Sequence, residues 1–242
     1  MSFYKSIAEV YHHIFPLNPV QVKFTNSAFF QTSQLSLLDI GCGTGALTRA
    51  LSATFQRVVG IDLDEVMLEH ARSSSDEINP VRFQQMNMLD IDQQFKGQAF
   101  DAIVCFGNTL VHLSSVEEIT SFFEKCHRVL TPNGKLLIQV INYDRILDQH
   151  VTSLPTLENE EIKFIRNYHY QKELHQIDFE TLLSIKKSNQ TIRNSVPLFP
   201  VRRSELEKAL EHAGFTNIRF FGNFKRDPLT HESIPLVFEA NR

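Results

Sequence analysis

The segment LLDIGCGTG, residues 37–45, constrains the fold more than any other part of the chain. An apolar run typical of a buried strand ends in three alternating glycines, and apolar residues then recur at helical spacing up to Leu51. Glycines permit a tight turn and let a ligand approach the backbone, and the first turn of a helix leaves amide donors free. The segment therefore predicts a strand, a ligand-binding loop and a helix in that order. Asp62, which ends the next apolar run, offers a carboxylate to the two hydroxyls of a ribose.

Apolar runs alternate with amphipathic segments through the first half of the chain. A clear helical face over residues 116–130 is ended by the sequence TPNG at 131–134. Strands alternating with helices indicate βαβ units and a mainly parallel sheet with right-handed crossovers. The predicted strands of this part cover residues 35–40, 57–61, 81–85, 100–106 and 135–141.

The pattern changes to period two after the fifth strand. Alternating apolar positions over residues 162–170 and 177–185, with a shorter run at 191–193, predict antiparallel strands inserted into the α/β domain. A helix with a capping-box match at residues 204–207 and two closing strands follow the insertion. The chain is thus divided into an N-terminal helical cap segment (1–34), a cofactor-binding core (35–156), the insertion (157–200) and a C-terminal part that completes the core sheet (201–242).

Composition and charge exclude several classes of function. The 242 residues carry a formal net charge of −4, which makes general binding to nucleic acid or to an anionic membrane unfavourable. The three cysteines show neither disulfide nor zinc-site spacing, so no metal is expected. We find no signal-peptide pattern and no apolar run long enough to span a membrane. These features predict a cytoplasmic protein with reduced thiols.

Two nucleoside cofactors compete for the glycine loop. Gly41-x-Gly43-x-x-Ala46 satisfies the dinucleotide fingerprint and would suit an NAD(P)-dependent oxidoreductase. Asp39, two residues before the first glycine, would place a carboxylate beside a pyrophosphate at an energetic cost. A cofactor with a cationic amine and no phosphate, such as S-adenosylmethionine (AdoMet), suits Asp39 better.

The LLDIGCGTG segment also resembles the first motif of the class I AdoMet-dependent methyltransferases. The resemblance covers most of the chain and implies a Rossmann-like sheet of seven strands in the order 3-2-1-4-5-7-6, with the last strand antiparallel. It implies AdoMet as cofactor and S-adenosylhomocysteine as product. The residues that it implies at the cofactor are Tyr11, Asp39, Gly41, Cys42, Gly43, Gly45, Asp62, Leu63, Met67, Asn87, Met88 and Phe106.

Individual roles follow from the same resemblance. Asp39 is expected near the methionine amine, Asp62 at the ribose hydroxyls and Leu63 against the adenine. Asn87 stands where the family usually has an acidic residue, and its side-chain oxygen can accept a hydrogen bond from the adenine amine. The backbone amide of Met88 is a second candidate contact for the ring.

Residues 105–113, at the end of the fourth strand and after it, are the predicted contacts of the methyl acceptor. They look like the GN-x-x-x-HL stretch of small-molecule methyltransferases, including glycine N-methyltransferase-like ones. The sequence NYD at 142–144 also resembles that group, but Ile141 replaces an arginine that holds the substrate carboxylate there, which puts glycine itself in doubt. The expected substrate contacts are Asn108, Asn142, Arg166 and Tyr168, and the candidates for a general base are His112, Tyr143 and His169.

Several alternatives stay open at this point. Arg145, Arg166 or Arg193 can replace the missing arginine, and nothing in their spacing selects one. The insertion suits either a substrate roof or a homodimer surface. The NPPY and PC motifs of DNA methyltransferases are absent, which argues against a nucleic-acid substrate. We therefore predict in-line methyl transfer to nitrogen or oxygen of a small-molecule acceptor, with an oxidoreductase or a non-catalytic AdoMet-binding protein as alternatives.

Overall fold

The computed structural model describes residues 6–73 and 81–242, and a seven-stranded sheet forms its centre. Five strands precede the insertion and two follow it. The strands of this sheet are β1 (Ser36–Ile40), β2 (Arg57–Asp62), β3 (Val81–Gln85), β4 (Phe100–Cys105), β5 (Leu130–Ile141), β10 (Thr216–Phe221) and β11 (Pro235–Asn241), and those of the insertion are β6 (Ser153–Glu158), β7 (Ile162–Gln171), β8 (Gln176–Ile185) and β9 (Gln190–Leu198).

The strand order in the central sheet is β10-β11-β5-β4-β1-β2-β3. Strands β1 to β5 pair in parallel, whereas β11 lies antiparallel between β5 and β10. Counting only the strands of this sheet, β10 and β11 are the sixth and seventh. The predicted order 3-2-1-4-5-7-6 with an antiparallel last strand is confirmed.

Helices connect the parallel strands and bury their apolar faces against the sheet. They are α1 (Tyr11–Ile14), α2 (Pro19–Asn26), α3 (Ala46–Ser52), α4 (Glu65–Ser73), α5 (Ile91–Gln94), α6 (Val116–Val129), α7 (Tyr143–Asp148) and α8 (Arg203–His212). The helix predicted over 116–130 is confirmed as α6, and its apolar face is buried. No helix within the described ranges combines the length and hydropathy needed to cross a bilayer.

Acidic side chains cap two of the helices. Asp64 caps α4 by accepting a hydrogen bond from the Val66 amide at 3.0 Å. The predicted cap at Ser204 is wrong, because α8 already begins at Arg203. Glu205 instead accepts a hydrogen bond from the Arg202 amide at 2.7 Å, so the capping glutamate lies two residues earlier than Glu207, which the sequence match implied.

The insertion forms a separate four-stranded antiparallel sheet in the order β6-β7-β8-β9. The alternating runs at 162–170 and 177–185 correspond to β7 and β8, which confirms the predicted antiparallel insertion. This sheet starts at Ser153, before the predicted boundary at residue 157, because the sequence pattern did not identify β6. One face packs against the N-terminal segment, where Ile7 and Ile14 share an apolar cluster with Phe164 and Leu183. Residues 1–5 of the predicted cap lie outside the described residues.

Candidate active site

The carboxyl ends of β1, β2 and β4 meet at one edge of the central sheet. The glycine loop follows β1, Asp62 ends β2, and Gly107 and Asn108 follow β4. In open α/β sheets, ligands bind in the crevice at this edge where the strand order reverses. Here β1 lies between β2 and β4, so the reversal falls at the glycine loop.

The glycine loop leaves no room for a side chain at Gly41. Gly41 has φ +72°, and a Cβ placed on it would lie 2.5 Å from Cγ2 of Thr109. The amides of Gly41 and Cys42 both donate to the Ile61 carbonyl, at 2.9 and 3.0 Å. These contacts bind the loop to β2 and explain the glycine sterically. Sequence reasoning missed Thr109, which contacts the loop only because β1 and β4 are adjacent.

Asp62 lies beside the same loop. Its Oδ2 accepts a hydrogen bond from the Gly43 amide at 2.8 Å, and its Oδ1 accepts one from the Asp64 amide at 3.0 Å. Burial raises the pKa of Asp62, and these amide bonds partly oppose the rise. The carboxylate is therefore fixed at the carboxyl end of β2, at the position predicted for the ribose contact.

Asp39 is almost completely buried, with 3% of its surface exposed. Its Oδ2 accepts a hydrogen bond from the Thr48 hydroxyl at 2.7 Å. Burial raises the pKa of Asp39 to about 7; the Thr48 bond lowers it and the charge of Asp62 raises it. None of these influences comes from a cation. A buried carboxylate in this state gains from a cationic group placed beside it, so the site fits a ligand with an ammonium group.

Tyr11 approaches the loop from the N-terminal segment. Its hydroxyl lies 3.3 Å from the point where a Cβ on Gly43 would stand. Burial raises the pKa of Tyr11, and the charges of Asp62, Cys42 and Asp39 raise it further. The phenol therefore stays protonated and can donate a hydrogen bond. The structure brings this predicted residue to the same edge of the sheet as the two aspartates.

A groove of about 320 Å³ lies on the other side of Asp62, towards β3. Its walls include Leu63, Met86 and Asn87, and the Leu63 side chain is 69% exposed there. Asn87 caps a 3₁₀ turn that begins at Met88, since its Oδ1 accepts a hydrogen bond from the Leu89 amide at 2.9 Å. The side-chain oxygen of Asn87 has a second lone pair and can still accept a hydrogen bond from an adenine amine. The contact with adenine stays a prediction.

Three further predicted cofactor residues are mostly covered by protein. Met67 is buried in α4, with 1% of its surface exposed. Cys42 is half-buried, and burial raises the pKa of its thiol. Phe106 packs into an aromatic cluster, with its ring centroid 4.9 Å from that of Phe224. Contacts of these three residues with a cofactor stay predictions, as does that of Gly45.

A hydrogen-bonded chain continues from β4 towards the insertion. Asn108 has φ +68°; its Oδ1 accepts a hydrogen bond from the Ile141 amide at 2.9 Å, and its Nδ2 donates to the Tyr143 hydroxyl at 3.0 Å. The Tyr143 ring lies 6.4 Å from the Tyr168 ring, and a hydrogen bond between them acts on the pKa of Tyr168. Asn108, Tyr143 and Tyr168 are thus brought together.

Gln139 supports this chain and was not predicted. It is buried in β5 and accepts a hydrogen bond from the Gly107 amide through Oε1 at 2.9 Å. Its backbone carbonyl also accepts one from the Asn108 amide at 3.3 Å. A single polar residue within the apolar strand sequence LLIQVI was the available signal.

The remaining acceptor-side predictions lie in different surroundings. Asn142 caps α7, and its Nδ2 donates to the Ser233 carbonyl at 3.1 Å, so its side chain is engaged inside the protein. His112 is exposed, although partial desolvation lowers the pKa of its imidazole. His169 lies 3.6 Å from Glu180 on the face of the insertion opposite Tyr168. This placement argues against His169 as a general base acting on an acceptor that lies beside Tyr168.

The structure distinguishes the three candidate arginines. Arg193 forms an ion pair with Glu180 on the outer face of the insertion. Arg145 and Arg166 each have a buried Nε atom with no hydrogen-bond acceptor among the described residues. We call the face of the insertion that carries Tyr168 its inner face. Arg166 lies on this face, because it is two residues from Tyr168 on β7, whereas Arg193 lies on the opposite, outer face.

Comparisons with known proteins agree with this geometry. Residues 37–134 match the family model described as "Methyltransferase domain". The chain is 28% identical over 245 residues to "Putative methyltransferase YqeM" of Bacillus subtilis (strain 168), covering 99% of this chain and 97% of the relative.

Solved structures share the fold over nearly the whole chain. An S-adenosylmethionine-dependent methyltransferase from Clostridium acetobutylicum superposes with a TM-score of 0.81 at 14% identity, covering 99% of each chain. CalS10, an amino pentose methyltransferase from Micromonospora echinaspora solved with S-adenosylmethionine bound, gives 0.69 at 21% identity, covering 100% of this chain and 92% of CalS10. The chain therefore shares the fold of S-adenosylmethionine-dependent methyltransferases, and its residues 37–134 match a methyltransferase domain.

Proposed function

We propose that the chain methylates a nitrogen or an oxygen atom of a small-molecule acceptor, with Asp39 and Asp62 holding the two ends of the cofactor's polar portion. The observation that carries this proposal is the pair of carboxylates on either side of the glycine loop, of which Asp39 is buried and Asp62 is half-buried. Asp39 has a raised pKa and no cation acting on it, and Asp62 is oriented by two backbone amides. A ligand with one ammonium group and one ribose can pair its ammonium with Asp39 and its ribose hydroxyls with Asp62.

The same pair of carboxylates disfavours the oxidoreductase alternative. A dinucleotide would bring a pyrophosphate to the loop, beside Asp39, where two negative charges meet in a desolvated place. AdoMet carries no phosphate, and its sulfonium and ammonium groups are both cationic. The electrostatics of the loop therefore support AdoMet over NAD(P).

When bound, AdoMet supplies a methyl group on a sulfonium, from which a neutral thioether leaves. The task of the protein is to align the acceptor with that methyl group and to exclude water. Alignment of this kind can lower a barrier by roughly 7–11 kcal/mol. Tyr11 and the loop hold one side of the proposed chamber, and the Asn108–Tyr143–Tyr168 chain holds the other. Because these side chains are held by hydrogen bonds and ring contacts, they are suited to holding the acceptor in a fixed orientation.

A proton must leave an amine or hydroxyl acceptor during transfer. We assign its removal to His112, because the lowered pKa keeps the imidazole neutral at neutral pH and therefore able to accept a proton. Tyr143 is proposed as a positioning residue, since its hydroxyl already accepts a hydrogen bond from Asn108. His112→Gln should lower kcat most at neutral and alkaline pH, where the wild-type imidazole is neutral, and least at acidic pH, where the wild-type imidazole is already protonated. An unchanged pH profile would exclude this assignment.

The surrounding segments complete the proposal. The N-terminal segment and the insertion are the two walls proposed to enclose the acceptor, and a homodimer through the insertion stays a prediction. The three cysteines are free thiols, in keeping with a reducing compartment such as the cytoplasm.

The decisive experiment is isothermal titration of the purified protein with AdoMet, S-adenosylhomocysteine and NADH. We expect micromolar binding of the first two and none of NADH. Binding of NADH alone would contradict the proposal. Turnover is then followed by S-adenosylhomocysteine release against a panel of small amines and hydroxy compounds.

A further inference from the structure

The inner face of the four-stranded sheet is apolar except for one row of polar side chains. Phe164, Arg166 and Tyr168 alternate along β7 and therefore point to the same side. Arg166 pairs in register with Thr181 on β8, and Thr181 pairs with Asn194 on β9. Asn194 donates to the Ser6 hydroxyl at 2.9 Å, whereas the Nε of Arg166 is buried without an acceptor among the described residues. An unpaired buried donor is costly, so Arg166 is the member of this row that still needs a polar partner.

Contacts of its two neighbours locate Arg166 over the proposed chamber. Phe164 packs against Phe15 at 6.0 Å between ring centroids, and Phe15 in turn packs against Tyr11 at 5.1 Å, beside the glycine loop. Tyr168 lies against Tyr143, which bonds to Asn108 at the end of β4. Arg166 stands between Phe164 and Tyr168 on the strand. It is therefore positioned between the cofactor side and the acceptor side of the site.

The guanidinium group of Arg166 is incompletely satisfied. Its Nη2 donates to the Pro155 carbonyl at 2.6 Å, while its Nε is buried without an acceptor in the described part of the chain. Burial lowers the pKa of Arg166, and burial also raises the pKa of the neighbouring Tyr168, so that phenol stays neutral and offers Arg166 no counter-charge. An arginine presents five N–H donors in a planar fork, which matches the oxygens of a carboxylate or a phosphate.

We propose that the acceptor carries an anionic group, a carboxylate or a phosphate, and that Arg166 binds it. This inference rests on the proposed function, because it assigns the substrate class of the same site. The Pro155 bond fixes the fork, and the anion engages the remaining donors while the nucleophilic atom of the acceptor faces the loop. Methyl transfer itself is unchanged: the acceptor lone pair forms the new bond to carbon, the carbon–sulfur electron pair stays on sulfur, and the acceptor proton leaves to His112 or water.

Arg193 provides a matched control on the same sheet. It is an arginine on the adjacent part of the insertion, but it points to the outer face and is already paired with Glu180. Replacing it removes the same charge without touching the inner face. A general effect of net charge on anion binding would appear equally in both variants, whereas a specific site would appear only in Arg166→Gln.

The test uses the full chain saturated with S-adenosylhomocysteine and titrated with inorganic phosphate, benzoate or neutral benzamide. We expect millimolar binding of at least one anion, no binding of benzamide, and at least a tenfold loss of anion affinity in Arg166→Gln, with Arg193→Gln unchanged. Preference for phosphate or for benzoate identifies the anionic group. Failure of the wild-type protein to bind either anion, equal binding of benzamide and benzoate, or unchanged affinity in Arg166→Gln would each overturn the inference.

Two readouts separate this inference from the proposed function and from misfolding. Titration with S-adenosylhomocysteine should give affinities within twofold for wild type and Arg166→Gln. If wild type fails to bind S-adenosylhomocysteine, the proposed function itself fails. Arg166→Lys keeps the charge and the bulk but loses the fork, so it should bind anions with intermediate affinity, and it replaces Arg166→Gln if that variant does not fold.

Discussion

The Asp39 carboxylate accepts a hydrogen bond from the Thr48 hydroxyl at 2.7 Å, and both residues are buried. Asp39 lies in β1 before the glycine loop, and Thr48 lies in α3 after it. The bond therefore connects the two elements that hold the loop. It also gives the carboxylate one neutral donor and leaves its charge uncompensated, so that the protonation state of Asp39 depends on what occupies the site.

Binding of AdoMet should become tighter as the pH rises towards 7. The pKa of Asp39 is about 7 without ligand, so most of this carboxyl is protonated at pH 5.5 and cannot pair with an ammonium group. We expect roughly a tenfold gain in affinity between about pH 5.5 and 7, below the range of about 7.7–8.0 where an α-amine titrates. Titration calorimetry in buffers of different ionisation enthalpy should show proton release, and Asp39→Asn should keep only a small residual slope from Asp62. An equal slope in that variant would remove Asp39 from the cofactor site.

Asp39→Asn should stabilise the protein in the absence of ligand at neutral and alkaline pH. A folded-state pKa raised above the unfolded value means that the protonated form is favoured in the native state. Stability from this group is thus complete below about pH 4 and is lost as the pH rises to about 7. The asparagine stays neutral, so we expect a gain on the order of 3 kcal/mol in the free energy of unfolding at pH 8, measured by urea denaturation.

Two controls accompany this stability measurement. At pH 4 the two proteins should unfold at nearly the same urea concentration, since Asp39 is then protonated. Thr48→Val removes the hydroxyl that donates to the Asp39 carboxylate and should lower stability by about 1–3 kcal/mol, whereas Thr48→Ser keeps the hydroxyl. A gain for Asp39→Asn that does not change with pH would mean that burial of charge is not its cause.

Asp62→Ala should weaken AdoMet binding by tenfold or more. The variant loses a carboxylate whose charge-assisted hydrogen bonds contribute about 1.5–3 kcal/mol each. It also frees the amides of Gly43 and Asp64, which Asp62 holds at 2.8 and 3.0 Å. Asp62→Asn keeps an acceptor oxygen for one of these amides. Its AdoMet affinity in calorimetric titration should therefore lie between those of the wild type and Asp62→Ala. Near-normal affinity in Asp62→Ala would exclude the ribose contact.

Sequence patterns predicted the central sheet well because its strands are apolar runs separated by amphipathic helices. The strand β6 was missed for a physical reason. Its sequence SLPTLE contains Pro155, which cannot donate to a ladder and weakens the strand pattern. Since β6 is an edge strand that pairs only with β7, proline is tolerated there. The strand could be recognised only once its neighbour was known.

The candidate site was predictable where local sequence determines geometry and not where distant segments meet. Asp39 and Asp62 follow from their places at strand ends. Thr48 resembles any other residue of an amphipathic helix until its hydroxyl is seen on Asp39. Arg166 and Arg193 are equivalent in the sequence, and only the register of β7, β8 and β9 assigns them to opposite faces. Such relations depend on tertiary packing, which periodicity does not encode.

Gly43→Ala should impair cofactor binding more than folding, and Gly97→Ala provides the matched control. Both glycines have positive φ, +55° and +78°, so alanine costs each a similar backbone strain of about 1–2 kcal/mol. A Cβ on Gly43 would lie 3.3 Å from the Tyr11 hydroxyl, whereas nothing lies within 4 Å of a Cβ on Gly97. We expect similar losses of thermal stability but at least a tenfold loss of AdoMet affinity in Gly43→Ala alone. Equal affinities of the two variants would show that the space between Gly43 and Tyr11 is not part of the cofactor site.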